Sequence, residues 1–297
     1  MEATFVHRAE YGLLRLVERV LSARSWETRQ SWGARLGRVW YRLDNGHRRI
    51  ARENALRAFP DWGPERIDRL VRANFEHLGI TAAEFLGSSR VSAEEAMART
   101  RIEGGEHLEK ALAGGRGALF LVGHLGNWEF GGLSLAARGV PFYAIGKRLS
   151  NPVVDREVTA IRERLGGHLI PHRNAVRPVI KALRGGGTVA VLLDQKPLRR
   201  EAVPSRFFGL PVATNSGLAI LALKTGAPVI PGFDRREDGA HVVRFGPEIA
   251  PPSEGTLEER VRAFTAAFDA TIEAAVRACP EQWFWVHRRW RLPEGWA

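Results

Sequence analysis

The sequence predicts an α/β protein: a mostly parallel central sheet flanked by helices, with a helical N-terminal extension. Short apolar runs recur from about residue 101 onward, and Gly-rich turns and helical stretches alternate with them. Residues 1–100 lack that alternation and carry apolar positions at helical spacing among Arg and Glu.

Phe5–Leu21 opens the chain as an amphipathic helix. Ala9, Leu13, Leu16, Val17, Val20 and Leu21 fall near one face, with Arg8, Arg15, Glu18 and Arg19 outside it. Such a face either packs on the domain or lies in a membrane interface. Ile67, Leu70, Val71, Phe75, Leu78 and Ile80 continue the helical pattern, punctuated by Pro60 and Pro64. Strands are expected at Ala118–Val122, Pro141–Ile145, Thr188–Leu193 and Ala227–Pro231, and a short alternating one at His241–Phe245, at an edge. Helices are expected at Val153–Leu165 and Val176–Leu183. Leu257, Val261, Phe264, Phe268, Ile272 and Val276 mark the core face of a last long helix. No repeat or long linker intervenes, so residues 1–100 read as an extension integral to a core spanning 101–297.

No stretch reaches the roughly 18 apolar residues that a membrane span needs. The single cysteine, Cys279, excludes an intramolecular disulfide and any cysteine-based zinc cluster. Lys and Arg total 44 against 33 Asp and Glu, a net charge of +11 that favours anionic partners such as an acidic membrane, phosphate-bearing lipid or nucleic acid. Neither GxGxxG nor GxxxxGK[ST] occurs, nor HExxH. His168 and His172 have metal-ligand spacing, but Pro171 lies between them. No metal site is expected. Ser134, in Gly132-Leu133-Ser134-Leu135-Ala136, sits inside a helical pattern instead of at the strand-to-helix turn a nucleophile elbow needs.

The informative segment is Ala118–Glu129. An apolar strand enters a tight turn carrying His124, then a helix begins near Trp128. Strand C-termini are where open α/β sheets collect ligands. Glu129 follows His124 by five positions; on one continuous helix they would point about 140° apart. Gly123 and Gly126 allow a turn that brings them together, with Glu129 orienting the imidazole and His124 free to accept a proton.

These residues resemble a known family. Gly123-His124-Leu125-Gly126-Asn127-Trp128-Glu129 is similar to the His-x4-Asp/Glu block of the lipid A biosynthesis acyltransferases, a late acyltransferase branch of the lysophospholipid acyltransferase superfamily. Arg148, Asn151-Pro152 and Asp155 resemble the next block, and Asp194-Gln195 followed by Arg206-Phe207-Phe208-Gly209-Leu210-Pro211 the third. Gly226–Pro231 resembles the fourth, and Pro280–Trp290 the C-terminal signature. The resemblance implies an acyltransferase-like α/β/α fold and transfer of a fatty acyl group from an acyl carrier protein or coenzyme A thioester to a glycolipid hydroxyl. It implies His124 as general base and Glu129 as its partner. Gly126, Asn127, Arg148, Asn151, Arg164, Asp194, Phe207 and Phe208 become candidates for substrate contact. No cofactor beyond the acyl donor is implied. Family members commonly carry an N-terminal membrane span; here residues 5–21 would make the enzyme peripheral, on the cytoplasmic face of a bacterial inner membrane. Lipid A precursors, phosphatidylinositol mannosides and aminolipids all remain acceptors. Competing readings are a thioesterase or esterase using Ser134 and a non-enzymatic binder of anionic polymers. Nucleic acid is not expected as a partner, because clustered Lys, RRM-like aromatics and zinc fingers are missing.

Overall fold

The computed structural model describes residues 4–296. Its N-terminal region is helical: α1 (Phe5–Ser22), α2 (Trp26–Leu43), α3 (Asn45–Ala58), α4 (Pro64–Gly87) and α5 (Ala93–Ala98). Thr4, Ser25, Asp44 and Ser92 each accept the N–H three residues on, which satisfies a donor that the first helical turn leaves free. Gly33 of α2 lets that helix lie directly on α4; a methyl group there would stand 2.6 Å from the Gly79 carbonyl oxygen and the Ile80 Cα.

The remaining chain alternates strands and helices. In order come β1 (Thr100–Glu103), α6 (Gly105–Ala113), β2 (Ala118–Val122), α7 (Trp128–Ala137), β3 (Phe142–Gly146), α8 (Pro152–Glu163), β4 (His168–Pro171), α9 (Val176–Arg184) and β5 (Thr188–Leu192). Then follow β6 (Ala202–Phe207), β7 (Leu210–Asn215), α10 (Gly217–Thr225), β8 (Val229–Glu237), β9 (Ala240–Phe245) and α11 (Leu257–Ala278). Seven strands form one sheet in the order β1-β9-β8-β2-β5-β3-β4, and β6-β7 form a separate hairpin. Every pairing in the large sheet is parallel except β8 with β9. The predicted fold class therefore stands.

One strand expectation changes. The strand at His241–Phe245 lies inside the sheet, because Thr100–Glu103 pairs with it and takes the edge. Those four residues alternate in polarity and offer no apolar run. The β6-β7 hairpin turns at Phe208-Gly209, both at positive φ (52° and 72°), the backbone that a two-residue hairpin loop requires.

The two-residue side-chain period splits the core between the faces of the sheet. Leu119 and Leu121 of β2, with Val189 and Val229, face α9, α10 and α11 and join residues of α3, α4 and the C-terminal tryptophans. Ala118 and Phe120 point the other way, with Ala190, Ile230, Val243 and Phe245, toward α6 and α7.

Helix α1 sits against α4 and α8 with a mixed side, Glu18 and Leu21 buried and Tyr11, Leu14, Arg15 and Val17 half-buried. Arg15 pairs with Glu18 and Glu157, and Tyr11 Oη donates to Glu157 at 3.4 Å. Asn151 Nδ2 donates to the His7 carbonyl at 3.0 Å and to Glu10 at 2.7 Å. Of the apolar face read from the sequence, Leu21 is buried, while Leu13, Leu16 and Val20 are exposed with Phe5 and Val6. The polar face has specific partners on α8, and these set which way the helix turns.

The α2–α4 contact yields a prediction. Gly33→Ala forces the two helix backbones apart and costs about 1–3 kcal/mol, the usual range for overpacking. Gly12→Ala, with open space around it, stabilises by up to about 1 kcal/mol through helix propensity. Urea unfolding of both variants checks the opposite signs.

Candidate active site

Strand β2 ends at Val122, and the chain then turns through Gly123–Asn127 into α7. Gly126 has φ +61°, and a side chain there would collide with the Asp234 backbone, so glycine is required. Asn127 caps α7, its side-chain oxygen accepting the Phe130 N–H at 3.1 Å. The C-terminal segment runs antiparallel beside this turn. Phe284 N–H donates to the His124 carbonyl at 3.0 Å and Gly126 N–H to the Gln282 carbonyl at 3.1 Å.

The partner of His124 is Asp194, at the end of the adjacent strand β5. His124 Nδ1 lies 2.7 Å from Asp194 Oδ1; the His124 backbone N–H donates to Oδ2 at 2.7 Å, and Trp283 Nε1 donates to the same oxygen at 2.7 Å. Burial alone would raise the pKa of Asp194; the imidazole and these N–H donors outweigh it and hold the carboxyl at about 2. An ionised Asp194 receives Nδ1–H, which leaves Nε2 as the imidazole's proton acceptor. Gln195 Nε2 lies 3.3 Å from that atom. Trp128 and Phe284 pack on the imidazole with ring centroids 4.9 and 5.7 Å away.

Glu129, expected as the partner of His124, instead forms a two-pronged ion pair with Arg162 of α8, at 2.8 and 2.5 Å. It stands on the first turn of α7, where both its oxygens meet the guanidinium fork. His124 and Glu129 nevertheless border one cavity of about 470 Å³, between α7 and the sheet. Its floor is apolar: Phe120, Phe142, Ala144, Ala190, Leu192, Val243 and Phe245. Gly131, Gly132 and Gly232 leave the space that larger side chains would fill. Lys147, Leu149, Arg162, His168, Gln195 and Asp234 add polar and mixed groups to the lining.

Other expected contact residues have different partners. Arg148 pairs with Asp155 at 2.9 Å. Asn151 caps α8, its side-chain oxygen accepting the Val153 and Val154 N–H groups. Arg164 donates to the Val91 carbonyl. Neither they nor Phe207 and Phe208 line the cavity; the two phenylalanines are buried in the core among Trp283, Trp285 and Trp290. Arg148–Asp155 and Asn151 order the loop that brings the neighbouring Lys147 and Leu149 to the cavity. Gly126 and Asn127 shape the turn. Ser134 is buried and its hydroxyl accepts from Arg138 at 2.5 Å, away from the lining. Lys147, Arg162 and Gln195 were the residues missed; Lys147 and Gln195 each stand next to a residue that was singled out. Among the described residues no group of three or more His, Cys, Asp or Glu is placed to hold a metal ion.

The chain is similar to known proteins over most of its length. The family model for bacterial lipid A biosynthesis acyltransferase matches residues 13–292. A lipid A biosynthesis acyltransferase of Haemophilus influenzae is 28% identical, over 80% of this chain and 73% of its own length. The lipid A biosynthesis lauroyltransferase of Escherichia coli K12 is 27% identical, over 89% and 85%. A phosphatidylinositol mannoside acyltransferase of Mycolicibacterium smegmatis is 30% identical, over 62% and 60%. A match to most of the chain, with the His124 turn, the Asp194 strand end and the C-terminal tryptophans inside it, shows that the protein belongs to the bacterial lipid A biosynthesis acyltransferase family.

Proposed function

We propose that the protein transfers a fatty acyl group from an acyl carrier protein or coenzyme A thioester to a hydroxyl of a membrane glycolipid, such as a lipid A precursor. The observation that carries this reading is the His124–Asp194 pair at the mouth of an apolar cavity. The acceptor hydroxyl gives its proton to His124 Nε2 as its oxygen attacks the thioester carbonyl. A tetrahedral oxyanion forms, the C–S bond breaks, and the proton passes from the imidazolium to the leaving thiolate. Asp194 keeps the tautomer and stabilises the imidazolium. No acyl-enzyme is needed, which suits a site whose nearby serine is buried. The apolar floor takes the acyl chain, each buried methylene contributing about 0.8 kcal/mol. Lys147 and the Glu129–Arg162 pair line the same cavity as polar groups for the acceptor or the donor head.

The protein works on the cytoplasmic face of the inner membrane as a peripheral enzyme. No helix of the described residues is long and apolar enough to cross a membrane. The outward Phe5, Leu13, Leu16 and Val20 of α1, with Arg8 and Arg19 on the same helix, suit an anionic lipid surface.

Four measurements test these readings. His124→Ala lowers kcat for transfer from acyl thioesters to a lipid A precursor by about 10²–10⁴, the typical worth of a general base, with folding intact. Mass spectrometry of products from glycolipid and phospholipid acceptors identifies the acceptor; wild-type turnover in the His124→Ala enzyme overturns the mechanism. Leu13→Glu with Leu16→Glu weakens sedimentation with anionic vesicles, and unchanged binding rejects α1 as the contact. Asp194 has a depressed pKa, so its stabilisation is full above the ordinary carboxylate value near 3.9 and is lost as pH falls toward about 2. Asp194→Asn therefore flattens the acid limb of stability between about pH 4 and 2, measured by urea midpoints across that range.

A further inference from the structure

Behind the turn that carries His124 lies a buried set of charges that the reaction scheme does not use. Asp234 Oδ1 accepts the Asn127 backbone N–H at 2.6 Å and the His241 Nδ1 proton at 3.1 Å. His77 Nε2 lies 3.1 Å from the Gly126 carbonyl oxygen, while Arg236 donates to His77 Nδ1 at 2.7 Å. That donation leaves the His77 proton on Nε2, facing the carbonyl. Glu84, fully buried on α4, accepts from Asn127 Nδ2 at 2.9 Å, from Gln30 at 2.8 Å and from both Nε and a terminal nitrogen of Arg236. It also stands 3.5 Å from His241 Nε2. Arg236 exchanges two backbone hydrogen bonds with the Gln282 side chain, at 2.7 and 2.9 Å, and the Gln282 carbonyl accepts the Gly126 N–H.

We propose that this network is a positioning device for His124. Asp234 holds the N–H of the Gly126–Asn127 turn, His77 holds its C=O, and Glu84, Arg236 and His241 fix the charge and tautomer of those two anchors. Two cations face two anions, so the cluster is balanced. Burial works against a charged His241, but Asp234 and Glu84 outweigh it and raise its pKa to about 9. Burial and Arg236 lower that of His77 to about 3, which keeps it neutral. A buried ionic network of this kind gives little net stability over an apolar core of equal volume. An apolar core cannot grip both the donor and the acceptor of one peptide turn, and that grip is what aims His124 and the start of α7. None of these side chains bonds to the His124 imidazole; Asp234 also borders the cavity, and the network reaches His124 through the turn.

The inference rests on His124 being the acting base, which the His124→Ala assay decides separately. With acyl thioester and lipid A precursor as substrates, Asp234→Ala lowers kcat about 100-fold, the cost of a small misplacement of a catalytic group, and leaves KM for the thioester within about threefold. Asp234→Asn, whose side-chain oxygen still accepts the Asn127 N–H, restores most of that loss. Should Asp234→Ala not fold, His77→Phe, which fills the site but cannot hold the Gly126 carbonyl, is judged by the same kcat and KM criteria, with His77→Gln as its rescue. Wild-type kcat in the alanine or phenylalanine variant, or no rescue by the conservative one, overturns the proposal while leaving the role of His124 intact.

Discussion

The candidate active site depends on one carboxylate. Asp194 is almost fully buried and accepts three N–H groups from two distant parts of the chain: the backbone and imidazole of His124 and the indole of Trp283. A buried anion is tolerated only when its lone pairs are met, and here meeting them is the same act as building the site. The parallel sheet makes this possible. Strands β2 and β5 are neighbours in register, so their C-termini bring His124 and Asp194 together although 70 residues separate them. Trp283 closes the arrangement from the far end of the chain and ties the C-terminal segment to the same oxygen.

The cavity follows from what the sheet does not carry. On the face toward α7, Ala144 and Ala190 stand where larger strand residues would fill the layer, and α7 contributes Gly131 and Gly132 opposite them. The other face is packed with Leu, Val and aromatic side chains from α9, α10 and α11. One face of the sheet is thus packed throughout, while the other combines a smaller core with the cavity. The division needs only the two-residue period of the strands.

Much of this was legible in the sequence. The runs at 118–122 and 188–193 became β2 and β5 because uninterrupted apolar residues suit strands buried on both faces. The turn at His124 and the candidate at Asp194 could be picked out because each follows such a run. Their pairing could not, since it depends on strand order and not on spacing. Glu129 looked like the partner because it is near in sequence, and Arg162, which claims it, lies on a helix 33 residues away. Strands β1 and β4 escaped notice because four residues with alternating or mixed polarity carry no periodic signal. Phe207 and Phe208, candidates for substrate contact from the sequence, sit instead in an aromatic cluster of the core.

Helix α1 departs from the rule of most surface helices, since ion pairs and hydrogen bonds help hold it to the protein while Phe5, Val6, Leu13, Leu16 and Val20 stay turned to the surroundings. A helix anchored through its apolar stripe would have to let go of the core before it could meet lipid, and the hole left behind would oppose the move. Here nothing need be uncovered. Entry into an interface would leave Glu157, Asn151 and their partners as they are, so such docking would need no opening step.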